Sequence, residues 1–363
     1  KTTMGTTISR SQLDNLPIAA RNFTALANLT PGVTGVGGGG LNTGGQLSRN
    51  NTFLIDGVSN DEVALNSTRG GFSLEAVREY VVMASQFAAE YGQASGAIVS
   101  VVTRSGTNQG QGRAFALLRN DALDAQNPFS KAQGSGKAPF SQQRFGGFFG
   151  GPITRDKLHY FGSYEGLRQR ETSVITSPLV PVNEREYPLK GDGHQAFIKM
   201  DSQIGANHSL SARYRIDQTK TIGGGIGGLS TRERGTDNTY RNQDFGVNHT
   251  AILSSRALNE VRLVYSTSYR WTSVTGYADE HAVTINRPSG NFGKSSNQPQ
   301  GDLQWYLQFI NNFSYTVGTH NLKAGFSANI IRDDAYFLGN KDGTFSFNTD
   351  LPFDAANPRT YPE

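Results

Sequence analysis

The sequence predicts a mostly β protein: a small α+β unit over residues 1–111, then antiparallel strands of an incomplete transmembrane β-barrel, about ten of them, over residues 112–363. Three observations predict it. Long segments alternate apolar and polar side chains, short turns alternate with long polar connections, and the texture of the chain changes near Gly106–Gly112.

Before that change the elements are short and mixed. Gln12–Leu16 and Asn22–Leu29 suit short helices, the second stopped by Pro31-Gly32. Phe53-Leu54-Ile55 reads as a strand that ends at Asp56-Gly57, a turn signal because glycine accepts positive φ. Leu74–Glu79 suits another helix, and Tyr80–Ala84 and Ala97–Thr103 two more strands. Glycine-rich loops lie between them, notably Gly35–Gly45.

After Gly112 a period of two dominates, which sends alternate side chains to opposite faces of a sheet. In Asn259–Trp271, Val261, Leu263, Tyr265, Thr267, Tyr269 and Trp271 share one face; Glu260, Arg262, Ser266, Ser268 and Arg270 share the other. His208–Asp217 sets Leu210, Ala212, Tyr214 and Ile216 against Ser209, Ser211, Arg213, Arg215 and Asp217. Leu303–Val317 and His320–Ile331 follow the same rule.

Short turns join strands near 142–151 and 157–170, 193–204 and 207–218, 242–253 and 257–272, and 302–317 and 320–333. The connections near 120–141, 171–192, 219–241 and 273–301 are long and rich in Gly, Ser, Asn and Pro. Compact domains connect elements with about 4–6 residues, whereas outer-membrane barrels have short turns at one rim and long loops at the other. Alternation by itself fits a soluble sandwich equally well. Strand length and the aromatics near strand ends (Tyr269, Trp271, Trp305, Phe313, Tyr315) favour the barrel.

Composition excludes several classes. The chain has no cysteine, so disulfides and thiolate metal sites are out. The net charge of +4 is mild and spread along the sequence, unlike a nucleic-acid footprint, and no nucleic-acid partner is expected. No run approaches the ~18 apolar residues of a membrane helix, and mean hydropathy is −0.46; a barrel leaves no such peak. The six histidines are scattered without HExxH spacing, and no GxSxG is present. Gly134-Ser135-Gly136-Lys137-Ala138 lacks the first glycine and the Ser/Thr of a phosphate loop. Asp333-Asp334 and Asp342 read as solvated charges. No catalytic residue, cofactor or metal site is expected, and the chain is not expected to be an enzyme.

The N-terminal motifs resemble the plug domain of TonB-dependent outer-membrane receptors, in particular the Oar-like subgroup that carries a carboxypeptidase-regulatory-like domain. They are Leu16-Pro17-Ile18-Ala19-Ala20-Arg21-Asn22-Phe23, Leu29-Thr30-Pro31-Gly32-Val33, Asn51 through Val58, Ala89-Glu90-Tyr91-Gly92, and Ser95 through Asn108. Arg119-Asn120-Asp121 with Leu123-Asp124-Ala125, and Gly150-Gly151-Pro152-Ile153 with Phe161 through Gly166, fit the same subgroup. The resemblance spans residues 13–168; beyond that it is architectural.

That likeness implies a bacterial outer-membrane receptor or transporter for energy-coupled uptake of a large scarce solute, driven through TonB, with the plug gating the barrel lumen. It implies outer-membrane lipid and an unknown extracellular solute as further partners. Asn60, Asp61 and Arg69 on the plug, with Trp271 and Tyr277 at a loop, are the expected substrate contacts; Arg78, Glu90 and Arg104 are the expected plug–barrel contacts. Departures from the family pattern are the missing TonB box, the missing regulatory-like domain, and about ten strands where the family implies 22. Both ends of the sequence read as cuts. Two alternatives stay open: an adhesive or structural outer-membrane protein without transport, and a soluble glycan-binding β module.

Overall fold

The computed structural model describes residues 4–15, 27–35, 41–43, 45–62, 67–85, 87–88, 90–91, 94–126, 136–276 and 283–362. Leu16–Phe23 and Tyr277 lie outside these residues, as does most of the expected Asn22–Leu29 helix.

The first part of the chain builds β1 (Met4–Ile8), α1 (Arg10–Asn15), β2 (Val33–Gly35), β3 (Leu41–Thr43), β4 (Thr52–Ile55), β5 (Val58–Ser59), β6 (Asp61–Glu62), β7 (Ser67–Thr68), β8 (Val77–Ser85) and β9 (Ile98–Thr103). Five of these strands form one sheet in the order β1-β8-β9-β4-β5, with β4 and β9 parallel. Its core packs Ile8, Phe53, Ile55, Leu74, Val77, Tyr80, Val82, Val99 and Val101, and takes in Phe161 and Phe197 from the later strands. Asp56 (φ 49°) and Gly57 (φ 79°) close the β4–β5 hairpin. Two successive positive φ values match the right-handed twist of the strands they join.

The expected Leu74–Glu79 helix is only a 3-10 turn over Leu74–Ala76, and β8 starts at Val77. Val77, Tyr80 and Val82 bury their side chains in the sheet core, and strand pairing prevails over a weak helical preference.

The second part is a nine-stranded, wholly antiparallel sheet of sequential neighbours: β10 (Gln111–Asn120), β11 (Phe140–Thr154), β12 (Leu158–Val174), β13 (Glu186–Ile204), β14 (His208–Gly224), β15 (Thr236–Ser254), β16 (Ala257–Val274), β19 (Gln300–Val317) and β20 (His320–Phe337). Its edge strands β10 and β20 do not pair with each other, so the wall is open. β17 (Thr284–Arg287), β18 (Gly290–Gly293) and β21 (Thr344–Ser346) form a separate three-stranded sheet among the long connections.

Short turns fall at 155–157, 205–207, 255–256 and 318–319. Two of the expected long loops are shorter than their polarity suggests, because β13 already starts at Glu186 and β15 at Thr236. Strand ends beyond a lipid band lose their apolar alternation but keep their backbone ladder, so pairing extends past the pattern that announces it.

Burial along the wall is inverted relative to a water-soluble sheet. Tyr265 is 47% exposed beside Ser266 at 3%, and Phe245 is 48% exposed beside Asp244 at 3%. Arg215 is the largest fully buried side chain of the wall, while its neighbour Tyr214 faces outward. One face is therefore polar and covered by the N-terminal unit, and the other is apolar and uncovered. An apolar face this extensive demands an apolar solvent.

Candidate functional site: buried charges between the inserted unit and the wall

The covered face of the wall is built by alternation. On β14, Arg213, Arg215 and Asp217 point inward together because Tyr214 and Ile216 occupy the outward positions between them. Pairing places Asp244 of β15 level with Arg215. The N-terminal unit answers with its hairpin tips and loops, which run from Asp56 to Ala76.

Arg215 is the hub. Its Nη2 donates to Asn60 Oδ1 (2.9 Å) and to the Arg69 carbonyl (2.9 Å), and its Nη1 to the Gly71 carbonyl (3.1 Å). Its Nε pairs with Asp244, whose other oxygen accepts from Arg213 Nη1 at 2.7 Å. The guanidinium also lies 4.8 Å from the Phe72 ring centroid. A planar five-donor fork satisfies this many acceptors; an ammonium does not.

Further contacts flank it. Asp217 accepts from the Gly71 amide (2.7 Å) and from Gln195 (3.1 Å). A Cβ at Gly70 would sit 2.8 Å from both Asn242 and Asp217, so glycine is what lets this loop touch the wall. Ser73 donates to Glu165 (2.7 Å), which also pairs with Arg144. Asp56 accepts from the Thr103 amide and hydroxyl, and faces Lys199 (3.8 Å) and Arg213 (3.6 Å). The Ser59 amide donates to Gln308, and Gln304 donates to Glu62. Val58 packs on Val264 and Tyr306.

The sequence-derived candidates fall in different places. Asn60, Asp61 and Arg69 come together in this interface. Asn60 is held between Arg215 and Thr68, and Arg69 is buried, donates to the Asp61 carbonyl and lies 4.6 Å from the Tyr306 ring. Among the described residues, Arg69 Nη1 has no hydrogen-bond partner. Trp271 is not brought together with them: it stands on the outward face of β16, its ring centroid 5.8 Å from that of Tyr336 and tilted 32° to it. Glu90 pairs with Lys323 of β20. Arg104 lies 3.7 Å from the Phe148 ring and 5.1 Å from Phe161, both in the wall. Arg78 is exposed. Sequence reasoning did not single out Arg213, Arg215, Asp217, Asp244, Glu165 or Lys199. Their signal was a charge repeated at alternate positions opposite an aliphatic face.

Burial pushes the Asp61 carboxyl up from 3.8 to about 6, against hydrogen bonds from the Phe53 amide and Ser59 and the nearby Arg69 charge. Burial, and then the Arg215 charge, lower Arg69 from the usual guanidinium range. A carboxyl raised on folding keeps its proton where the unfolded chain has lost it. Stability therefore falls as pH rises from 3.8 to about 6 and is level above that. We expect the unfolding free energy of the N-terminal unit, read from urea titrations, to fall across this window by about 3 kcal/mol. Asp61→Asn should flatten the dependence; an unchanged slope in that variant would assign it to another group.

The arrangement holds one body inside another through charge-assisted hydrogen bonds, most of them sealed from water. Among the described residues, no three potential metal-ligating side chains gather. The outer membrane beta barrel domain family matches residues 102–192 and 184–359. The TonB-dependent transporter Oar of Myxococcus xanthus is 25% identical over 330 residues, covering 80% of this chain and 31% of that protein. The outer membrane transporter YddB from Escherichia coli has a similar fold, with a TM-score of 0.68 at 12% identity over 99% of this chain and 51% of that one. The siderophore receptor PirA from Acinetobacter baumannii gives 0.64 at 16% identity, over 91% and 48%. The chain thus spans about a third of the curated relative and about half of these structures.

Proposed function

Because this chain belongs to the outer membrane beta barrel family and resides in the bacterial outer membrane, we propose that it supplies the plug and the first part of the barrel of a TonB-dependent transporter. Residues 1–111 are the plug and 112–363 the first barrel strands. The transporter takes up a large, scarce solute, and TonB supplies the force that rearranges the plug. Nothing covalent happens to the solute, and the protein is not an enzyme.

One observation carries this reading. The N-terminal unit occupies the polar side of the wall and meets it through buried polar side chains, and its core continues into Phe161 and Phe197 of the wall. An adhesive protein needs outward loops but no lumen filled in this way. The soluble glycan-binding alternative is set aside by the family and by the uncovered apolar face.

The β6–β7 hairpin meets the wall far from the short turns, since Glu62 reaches Gln304 of β19. Asn60, Asp61 and Arg69 stay the proposed solute contacts at the plug apex, and because they are buried against the wall a solute reaches them only when the plug rearranges. Tyr277 remains a proposed loop contact. Trp271 belongs instead to the outward aromatic belt.

Uptake by cells with and without the intact protein tests the reading. Radiolabelled ferric siderophore, cobalamin, oligosaccharide and peptide form the panel. At least one label should accumulate about tenfold or more above the deletion strain, and a protonophore or loss of TonB should abolish the difference. Equal accumulation of all four, with surface adhesion lost in the deletion strain, would favour the adhesive alternative.

A further inference from the structure

The covered face of the wall changes character above the inserted unit. Residues paired across an antiparallel ladder share a face. The register that sets Gln195, Asp217 and Asn242 against the loop at Gly70 and Gly71 therefore also orders the rows above it. The next row carries Gly193, Thr219, Tyr240 and Arg270 on β13 to β16, and the row after it Gly191, Thr221, Asn238 and Thr272. Higher still on the same face, Tyr187 and Leu189 pack with Ile226 and Phe292 of the long connections. From Gln195 to Leu189 the strand advances by 6 residues. At about 3.3 Å each, on a strand tilted about 40°, that is roughly 15 Å of wall between floor and roof.

The fold itself does not demand the two glycines. A Cβ at Gly191 would have Gln169 as its nearest neighbour at 3.7 Å, and one at Gly193 would have Leu167 at 3.6 Å. Both are ordinary contacts, and neither residue has a positive φ. Gly301 of the same wall, by contrast, would collide with the Arg270 carbonyl if it carried a Cβ. Glycine weakens the middle of a strand and marks places where another body comes close to the backbone. Gly191 and Gly193 stand beside Thr221 and Thr219, so they cut a recess into the wall next to Tyr240.

This recess is neutral. Arg270 is the one formal charge in the two rows, and Asp302 pairs with it at 2.5 Å. Tyr240 is 39% exposed on this otherwise polar face, and no described ring stacks on it. The hydroxyls of Thr219, Thr221 and Tyr240 make no hydrogen bond to any described residue, while Thr272 donates to Asn238 at 2.8 Å.

We propose that the recess receives a neutral oligosaccharide, with the apolar face of one sugar ring on Tyr240 and its hydroxyls bonded to Thr219, Thr221 and Asn238. Tyrosine offers a large apolar surface with a polar tip. Sugar hydroxyls both donate and accept, as do the hydroxyl and amide side chains around the ring. A multiply anionic solute such as a ferric tris-catecholate is held by unpaired cations, and the two rows hold none. The glycines let a flat ring come close to β13. The assignment rests on the uptake reading above, whose solute class it names.

The test uses the intact protein in detergent. An array of neutral and acidic oligosaccharides selects the tightest neutral binder, which is then titrated by calorimetry beside a ferric tris-catecholate and an uncharged peptide. Gly191→Val with Gly193→Val fills the recess with residues that suit strands, so it should unfold no earlier than the parent. It should bind the oligosaccharide at least about tenfold more weakly. Tyr240→Ala should also lose about tenfold, and Tyr240→Phe, which keeps the ring face, should stay within about threefold. The idea is overturned if no neutral oligosaccharide binds, or if the double valine variant binds it as the parent does. It is equally overturned if the catecholate or the peptide binds more tightly and is the probe that the double valine variant loses. Binding here needs neither TonB nor an ion gradient, so it is separable from uptake. Oligosaccharide bound at the recess but never accumulated would sink the transport reading alone; a ferric siderophore accumulated with no oligosaccharide bound would sink the recess alone.

Discussion

Arg215→Ala is expected to loosen the N-terminal unit from the wall by about 3–5 kcal/mol, the usual cost of removing one partner from a buried charge pair. The change deletes the donors to Asn60, Arg69 and Gly71 and leaves Asp244 with Arg213 alone. Hydrogen exchange across residues 58–71 should accelerate by two orders of magnitude or more, while exchange in the wall ladder changes little. Arg215→Lys should recover only part of the loss, because one ammonium cannot span all four acceptors. Asp244→Ala added to Arg215→Ala should cost less than the two single changes summed, since each single change strands the other's charge. If Arg215→Ala leaves exchange in residues 58–71 unaltered, the interface is not what seats the unit.

Leu263→Arg is the second large effect. Leu263 lies near the middle of the outward face, in register with Val247 and Phe309. A guanidinium there meets hydrocarbon, at a cost of about 2–4 kcal/mol. Gln218→Arg, on the same face but near the outer boundary, should cost about 0–1 kcal/mol. The comparison cancels the intrinsic effect of arginine and leaves depth alone. It is read from urea unfolding in bilayers, and equal costs at the two sites would argue against a membrane around this face.

The wall was legible in the sequence because alternation is local. Asn259–Trp271 set Leu263 and Tyr265 against Ser266 and Ser268, and the structure separates them the same way. Val264 breaks that rule, an apolar residue on the polar face, and the reason lies 206 residues away in Val58 of the inserted unit. Trp271 shows the strength of the local signal: its alternation partners gave its face correctly, while its candidacy as a loop contact drew on position near a strand end. The upper ends of β13 and β15 were not legible, since a strand that leaves lipid keeps hydrogen bonds that no side-chain pattern records.

The site was legible only in halves. Arg213, Arg215 and Asp217 were readable as a polar face, and Asn60, Asp61 and Arg69 as expected substrate contacts on the plug. Nothing local says that they meet, because Arg215 and Asn60 are 155 positions apart. Leu74–Glu79 failed as a helix for a related reason. The decision there belonged to the β8–β9 ladder, which pairs Val77 with Thr103.

The central claim is that hydrocarbon touches one side of the later strands and the N-terminal unit fills the other. The chain has no native cysteine, so spin labels can be walked singly along β16 from Val261 to Tyr269 in lipid bilayers. The account predicts collision with oxygen, and exclusion of a polar nickel chelate, at 261, 263 and 265, with both quenchers excluded at 264, 266 and 268. Labels at 263 and 265 that are shielded from oxygen, or open to the nickel chelate, would contradict it.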